Sequence, residues 1–177
     1  SGTFTNETAG TLTATNTVIN YETFTNDGTF TAVDLENKET STFDNTGTLT
    51  ASNTVTNAGA FTNETAGTLT ATNTVTNSGT FTNDGSFTAV DLENKETSTF
   101  DNTGTLTATN TVTNYETFTN DGTFTAVDLE NKETSTFDNT GTLNVTTINN
   151  EGNTLGDGTY NILGDFTSSG TFFSAAG

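Results

Sequence analysis

The chain has 177 residues, 3 Lys, no Arg, 22 acidic residues and a formal net charge of -19, with no His, Cys, Met, Trp or Pro. Without Cys and His there is no disulfide framework, no Cys/His zinc site, no Cys or His nucleophile and no imidazole base. The negative balance repels nucleic acid and anionic lipid, and no apolar run is long enough to cross a bilayer, so neither nucleic acid nor membrane insertion is expected.

Only 29% of the residues are hydrophobic, which with this charge is the profile of a disordered chain. The 50 Thr and 24 Asn point the other way, because Thr favours strands. Placement therefore decides. The segment Thr23–Asn57 recurs almost verbatim at Thr80–Asn114 and again from Thr117, and a shorter unit is present near residues 1–20 and 58–77. Insertions come in whole units, as expected when each unit is one turn of a stack.

Taken in chain order, the first coil holds Thr3-Phe4-Thr5, Thr11-Leu12-Thr13 and Val18, and every later coil repeats that set. A first apolar column runs Phe4, Phe24, Phe43, Phe61, Phe81, Phe100, Phe118 and Phe137, continued by Leu155 and Phe172. A second runs Leu12, Phe30, Leu49, Leu69, Phe87, Leu106, Phe124, Leu143 and Tyr160. The third is Val18, Leu35, Val55, Val75, Leu92, Val112, Leu129, Ile148 and Phe166. In each, the apolar residue points inward and the flanking Thr outward, the alternation of a strand. Two residues further on the chain points inward again. That position is Asn after the first column (Asn6 to Asn139) and the third (Asn20 to Asn150), and Ala after the second up to Ala126. Stacked Asn can bond one another and the corner backbone. Gly stands two residues before the second column, from Gly10 to Gly158, where it supplies a bend. Extra residues at 7–9 and 36–40 fall at corners and bulge outward. The columns specify an all-β, three-sided parallel β-helix (β-solenoid) of about nine coils of 18–20 residues. Regular coils occupy 1–143, and 144–177 form divergent terminal coils, a partial cap or docking segment.

The phrases Asn45-Thr-Gly-Thr-Leu-Thr-Ala51 and Asn77-Ser-Gly-Thr-Phe-Thr-Asn83 resemble the Asn-x-Gly-x-apolar-x-Ala/Asn repeats of filamentous-haemagglutinin-type secreted bacterial adhesins. The resemblance covers about residues 1–150. It implies a right-handed, three-sided β-helix outside the cell or on its surface, serving adhesion or a surface fibre. The chain departs from those repeats in its excess of Thr and its scarcity of Gly-Gly and Ser. Coil length alone leaves the hand open, because a left-handed hexapeptide helix also has 18 residues per coil.

For function, an enzyme is not expected. Asp34 and Glu36 reappear as Asp91 and Glu93 and as Asp128 and Glu130, whereas an active site is a single constellation. No metal site or cofactor is expected either, since the aspartate-rich calcium loop and the Gly-Gly-x-Gly-x-Asp nonapeptide are absent. Glu7 with Asp27, and Glu64 with Asp84, collect cations weakly at most, and divalent cations are expected only at bundling contacts between rods. The leading expectation is a structural fibre subunit or adhesin shaft, stacking head-to-tail on copies of itself through Thr3, Phe4, Leu12 and Val18 at one end and Phe166, Phe172 and Phe173 at the other. The chain begins at Ser, as in a processed chain or one cut from a longer shaft. Surface or glycan ligands are further partners of such a fibre. The alternative is an ice-binding solenoid. The second side carries Thr11/Thr13, Thr29/Thr31, Thr48/Thr50, Thr68/Thr70, Ser86/Thr88, Thr105/Thr107 and Thr123/Thr125, resembling the Thr-x-Thr faces of solenoid antifreeze proteins. Asn-x-Thr sequons occur at Asn6, Asn63 and Asn144, the first two on the inward ladder, where glycosylation is not expected.

Overall fold

Residues 2–172 are described by the structure, a computed structural model, and their regular elements are all strands. Each coil contributes three short segments, beginning with Thr3–Asn6, Thr11–Thr13 and Val18–Asn20. Every pairing is parallel and joins one coil to the next: Phe61 lies between Phe43 and Phe81, Leu69 between Leu49 and Phe87, and Val75 between Val55 and Leu92. The first column forms a 10-stranded sheet. The second and third columns are joined into one 16-stranded sheet where Thr123–Asn131 and Thr142–Asn150 run through the corner without a break. The protein is a parallel β-solenoid of about nine coils, as the columns specify.

Burial follows strand alternation without exception in the middle coils. Phe81, Phe87 and Leu92 are sealed from solvent while their Thr and Ser neighbours face out. The Phe rings stack along the axis. Phe43 to Phe61 and Phe61 to Phe81 have centroids 4.8 and 4.6 Å apart, with planes within 6° and 8°. That is the ~4.8 Å spacing of neighbouring strands, so the backbone ladder itself sets the aromatic separation.

The two Asn columns are buried hydrogen-bond ladders. Asn57 Nδ2 donates to Asn77 Oδ1 at 2.8 Å, and Asn77 Nδ2 donates onward to Asn94 Oδ1 at 2.8 Å and to the Thr99 carbonyl at 2.9 Å. The other column runs likewise, Asn45 to Asn63 at 2.7 Å and Asn63 to Asn83 at 2.8 Å. Among the described residues no buried side-chain nitrogen or oxygen lacks a partner.

Two details depart from the sequence reading. Leu155 does not continue the Phe column: Thr154 pairs with Phe137 on one side and Phe172 on the other, is fully buried, and donates to Asn150 Oδ1, while Leu155 pairs with Asp138 and is half-buried. Register, not hydrophobicity, selects the inward residue, because a shift of one position reverses the face. The glycine column also has a different cause. Gly47 and Gly104 do not need a left-handed backbone. A Cβ there would lie 2.1 Å from the Gly28 carbonyl oxygen and 2.2 Å from that of Gly85, so successive corner backbones pass too close for any side chain.

The corners at 38–41, 95–98 and 132–135 carry a device that the sequence did not reveal. Thr40, Thr97 and Thr134 have φ of 65°, 66° and 68°, a left-handed conformation costly for a β-branched residue. Each is followed by a buried serine. The Ser41 hydroxyl shares its proton between Asn37 Oδ1 at 2.7 Å and the Lys38 carbonyl at 2.5 Å, and Ser98 and Ser135 repeat this.

Asn77→Ala removes both links of one ladder rung, leaving the Asn57 amide with only its carbonyl partners Gly59 and Thr80 and Asn94 Oδ1 with only the Ser98 hydroxyl, so it is expected to destabilise the protein by about 3 kcal/mol, whereas outward Thr76→Ala stays within about 0.5 kcal/mol. Urea denaturation of the two variants checks this.

Candidate functional site

The outward residues of the second column are brought into register by the ladder. Thr11, Thr29, Thr48, Thr68, Ser86, Thr105, Thr123 and Thr142 form one rank, and Thr13, Thr31, Thr50, Thr70, Thr88, Thr107 and Thr125 a second. The second rank ends at Asn144, whose amide donates to the Thr125 hydroxyl at 3.4 Å. The ranks repeat at ~4.8 Å along the axis and lie about 7 Å apart along the strand. From Thr29 to Thr123 the first rank is exposed, and from Thr31 to Thr125 the second is half-buried. Among the described residues, no hydroxyl from Thr29 to Thr107 on this face bonds to another protein group, leaving these groups to water.

The outward positions beside the first and third columns are interrupted by charge. Asp44 lies between Thr25 and Thr62, Asp101 between Thr82 and Thr119, and Glu93 between Thr76 and Thr113. Like charges opposite one another on adjacent strands destabilise a sheet, and here neutral coils separate them. The carboxylates also cap the next corner. Asp34 Oδ1 accepts from Asn53 Nδ2 at 2.8 Å, the Thr54 hydroxyl at 2.8 Å and the Thr54 backbone N–H at 3.1 Å. Asp27, Asp84 and Asp121 accept from Thr46, Thr103 and Thr140 at 2.7, 2.6 and 2.5 Å. Among the described residues no three acidic groups come together as a metal cluster.

The end residues fall on the first and last described coils. Phe4 is 47% exposed and Phe166 is 43% exposed, while Leu12, Val18 and Phe172 are half-buried and Thr3 is exposed. Phe4 already stacks on Phe24 at 4.8 Å, and Phe166 meets Phe172 edge-on at 4.9 Å. Phe173 lies outside the described residues.

Residues 4–69 and 72–171 match the SSURE domain. The chain belongs to the SSURE domain family. The first matched segment ends inside the strand Thr68–Ala71 and the second begins just after it, and the residues of that strand pair with the coils on both sides. The SSURE domain here is thus a stretch of continuous solenoid rather than a separate folding unit. No curated protein and no solved structure matches this chain.

Charge and hydrogen bonding of the corner carboxylates set the response to pH. The Thr54 hydroxyl and backbone N–H, helped by Asn53 and Thr17, hold Asp34 below the usual carboxylate range, whereas burial pushes Asp44 up. A lowered folded-state pKa gives stability that is present above the unfolded value and lost as pH falls through the folded one. For Asp44 the sign is reversed: its contribution is present below the unfolded value and lost as pH rises through the folded one. Asp34→Asn is therefore expected to lower the melting temperature at neutral pH and to shrink the loss on acidification, while Asp44→Asn raises the neutral-pH value. Thermal melts of both variants between about pH 2 and pH 7 check the two signs.

Proposed function

We propose that this SSURE domain is a structural shaft: a rod of stacked coils that extends a surface fibre or adhesin outside the cell by adding coil upon coil. The observation that carries this reading is the continuous in-register ladder. Each coil satisfies the backbone, Asn and Phe groups of the next, so any coil is a template for one more. The added coils are those of a second copy or of the same polypeptide. The partly exposed Phe4 and Phe166 support coil-on-coil stacking, because covering three half-exposed apolar residues recovers about 1 kcal/mol each along with the backbone hydrogen bonds of a strand edge. A contact of this kind is heterologous and does not close, so it propagates as a filament. The likeness of the Asn-x-Gly repeats to those of secreted adhesins supports placement outside the cell. Asp44, Asp101 and Glu93 each sit between threonines of the neighbouring coils, which supports a non-catalytic role.

Electron microscopy of the purified chain over a concentration series tests the stacking. Thin unbranched filaments with a subunit repeat of about 45 Å, at ~4.8 Å per coil over about nine coils, are expected, and Phe4→Asp should abolish them. Isolated short rods at every concentration would overturn self-stacking.

A second reading is favoured by the hydroxyl array. Two uncharged ranks, whose hydroxyls from Thr29 to Thr107 have no protein partner among the described residues, are held at ~4.8 by about 7 Å and present an ordered surface to water, which supports ice binding. It predicts thermal hysteresis that Thr68→Leu with Thr70→Leu reduces. No hysteresis in the parent chain removes this reading.

A further inference from the structure

Within the near-identical repeats, the residues that follow the third-column Asn differ from coil to coil: Tyr21-Glu22, Ala58-Gly59, Ser78-Gly79, Tyr115-Glu116 and Glu151-Gly152. The coils that carry the stapled turns place Lys38, Lys95 and Lys132 in the same corner column, and these are the only cations in the chain. The backbone N–H groups of Ser78, Lys95, Tyr115 and Lys132 bond in turn to the carbonyls of Asn57, Asn77, Asn94 and Asn114, so the four residues stack on consecutive coils. The three turns are chemically alike, but their neighbours are not. The Lys38 turn lies between Tyr21 and Ala58, and the Lys132 turn between Tyr115 and Glu151. Only the Lys95 turn has a small hydroxyl residue on one side and an aromatic ring on the other. There the surface sinks into a concavity of about 390 Å³ lined by Ser78, Glu93, Lys95, Glu96 and Tyr115.

We propose that this concavity is a carbohydrate-binding subsite that takes one pyranose unit of an uncharged polysaccharide, with Tyr115 as its aromatic platform. The chemistry of the lining selects that ligand. A pyranose offers one face of C–H groups and a rim of hydroxyls that both donate and accept. Tyr115 supplies an amphipathic ring for the first. For the rim, Glu93 and Glu96 accept, the Lys95 ammonium donates, and the Ser78 hydroxyl does both. This is the pattern of a site with an apolar contact and a few convergent polar groups. The site is also held in place before any ligand arrives. Lys95 is ion-paired to Glu93 and stands 5.8 Å from the Tyr115 ring centroid, a cation–π distance. Beneath it, the Ser98 hydroxyl fastens the turn to Asn94 Oδ1 at 2.7 Å and the Lys95 carbonyl at 2.5 Å. Preorganisation of this kind reduces the entropy lost on binding. Charge selects against acidic sugars, because two carboxylates face one ammonium on a chain of net charge -19. Half-buried Tyr115 contrasts with Tyr21, which is 66% exposed. The proposal goes beyond the shaft role and fails separately from it, since filament formation does not involve Tyr115.

Saturation-transfer NMR of the intact chain with cellohexaose, maltohexaose and chitohexaose, and with a heparin hexasaccharide as the acidic comparison, tests it. Transfer to at least one uncharged hexasaccharide is expected, with Tyr115→Ala and Glu93→Gln each weakening binding about tenfold and Tyr21→Ala leaving it unchanged. Circular dichroism verifies the fold of each variant, and Glu93→Gln, which keeps side-chain shape, carries the test should the ring truncation perturb the corner. No transfer to any of the three, transfer that survives both variants, or stronger binding of the heparin fragment would each overturn the proposal.

Discussion

A buried carboxamide must have partners for both its oxygen and its nitrogen, and in this protein the neighbouring coils supply them. Asn77 accepts a hydrogen bond from Asn57 on one coil and donates to Asn94 and the Thr99 carbonyl further along the stack. Neither contact survives a slip in register, since a slip leaves an amide unpaired in the interior at a cost of about 1–3 kcal/mol per group. The two Asn columns therefore act as a register lock, and the rest of the structure follows from it. Phe falls on Phe, Thr falls on Thr, and corner glycine falls where two backbones pass.

With register secured, a low apolar content suffices. The core is one residue wide in each column, yet Phe30, Phe43, Phe61, Phe81, Phe87 and Phe100 are almost completely sealed from solvent. Stacked rings at the strand spacing leave little void, and tight packing is what turns a small apolar area into stability. The outward positions are then free of packing duties. They carry hydroxyls where the face is uncharged and single carboxylates where neutral coils separate them. The same carboxylates cap corners, as Asp34 does for Asn53 and Thr54, so charge adds local order as well as repulsion between rods.

Most of this was legible in the sequence because the columns of Phe, Asn and Thr repeat often enough to reveal the coil length and the inward positions. What escaped was local. Leu155 looks like the next member of the Phe column, but the ladder counts positions, and Thr154 with its hydroxyl on Asn150 fills the place. The glycine column reads as a set of bends, whereas Gly47 is required by a carbonyl 2.1 Å from where its Cβ would be. The left-handed Thr40 and the Ser41 staple have no composition signal, since both residue types are ordinary outward choices elsewhere in the chain. The concavity at Tyr115 was missed for a related reason. Its lining comes from three successive coils, and it is visible only once corner residues on different coils are set side by side.

The account rests on the carboxamide ladders, and hydrogen exchange of the Asn side-chain amide protons, followed by NMR, tests them most directly. Asn57, Asn63, Asn77, Asn83, Asn94 and Asn102 should exchange as slowly as the strand N–H groups of the same coils, because they open only when a coil detaches. The exposed Asn16 should exchange as a free carboxamide does. Rapid exchange at the six buried residues would contradict the account and leave the register to be held by some other interaction.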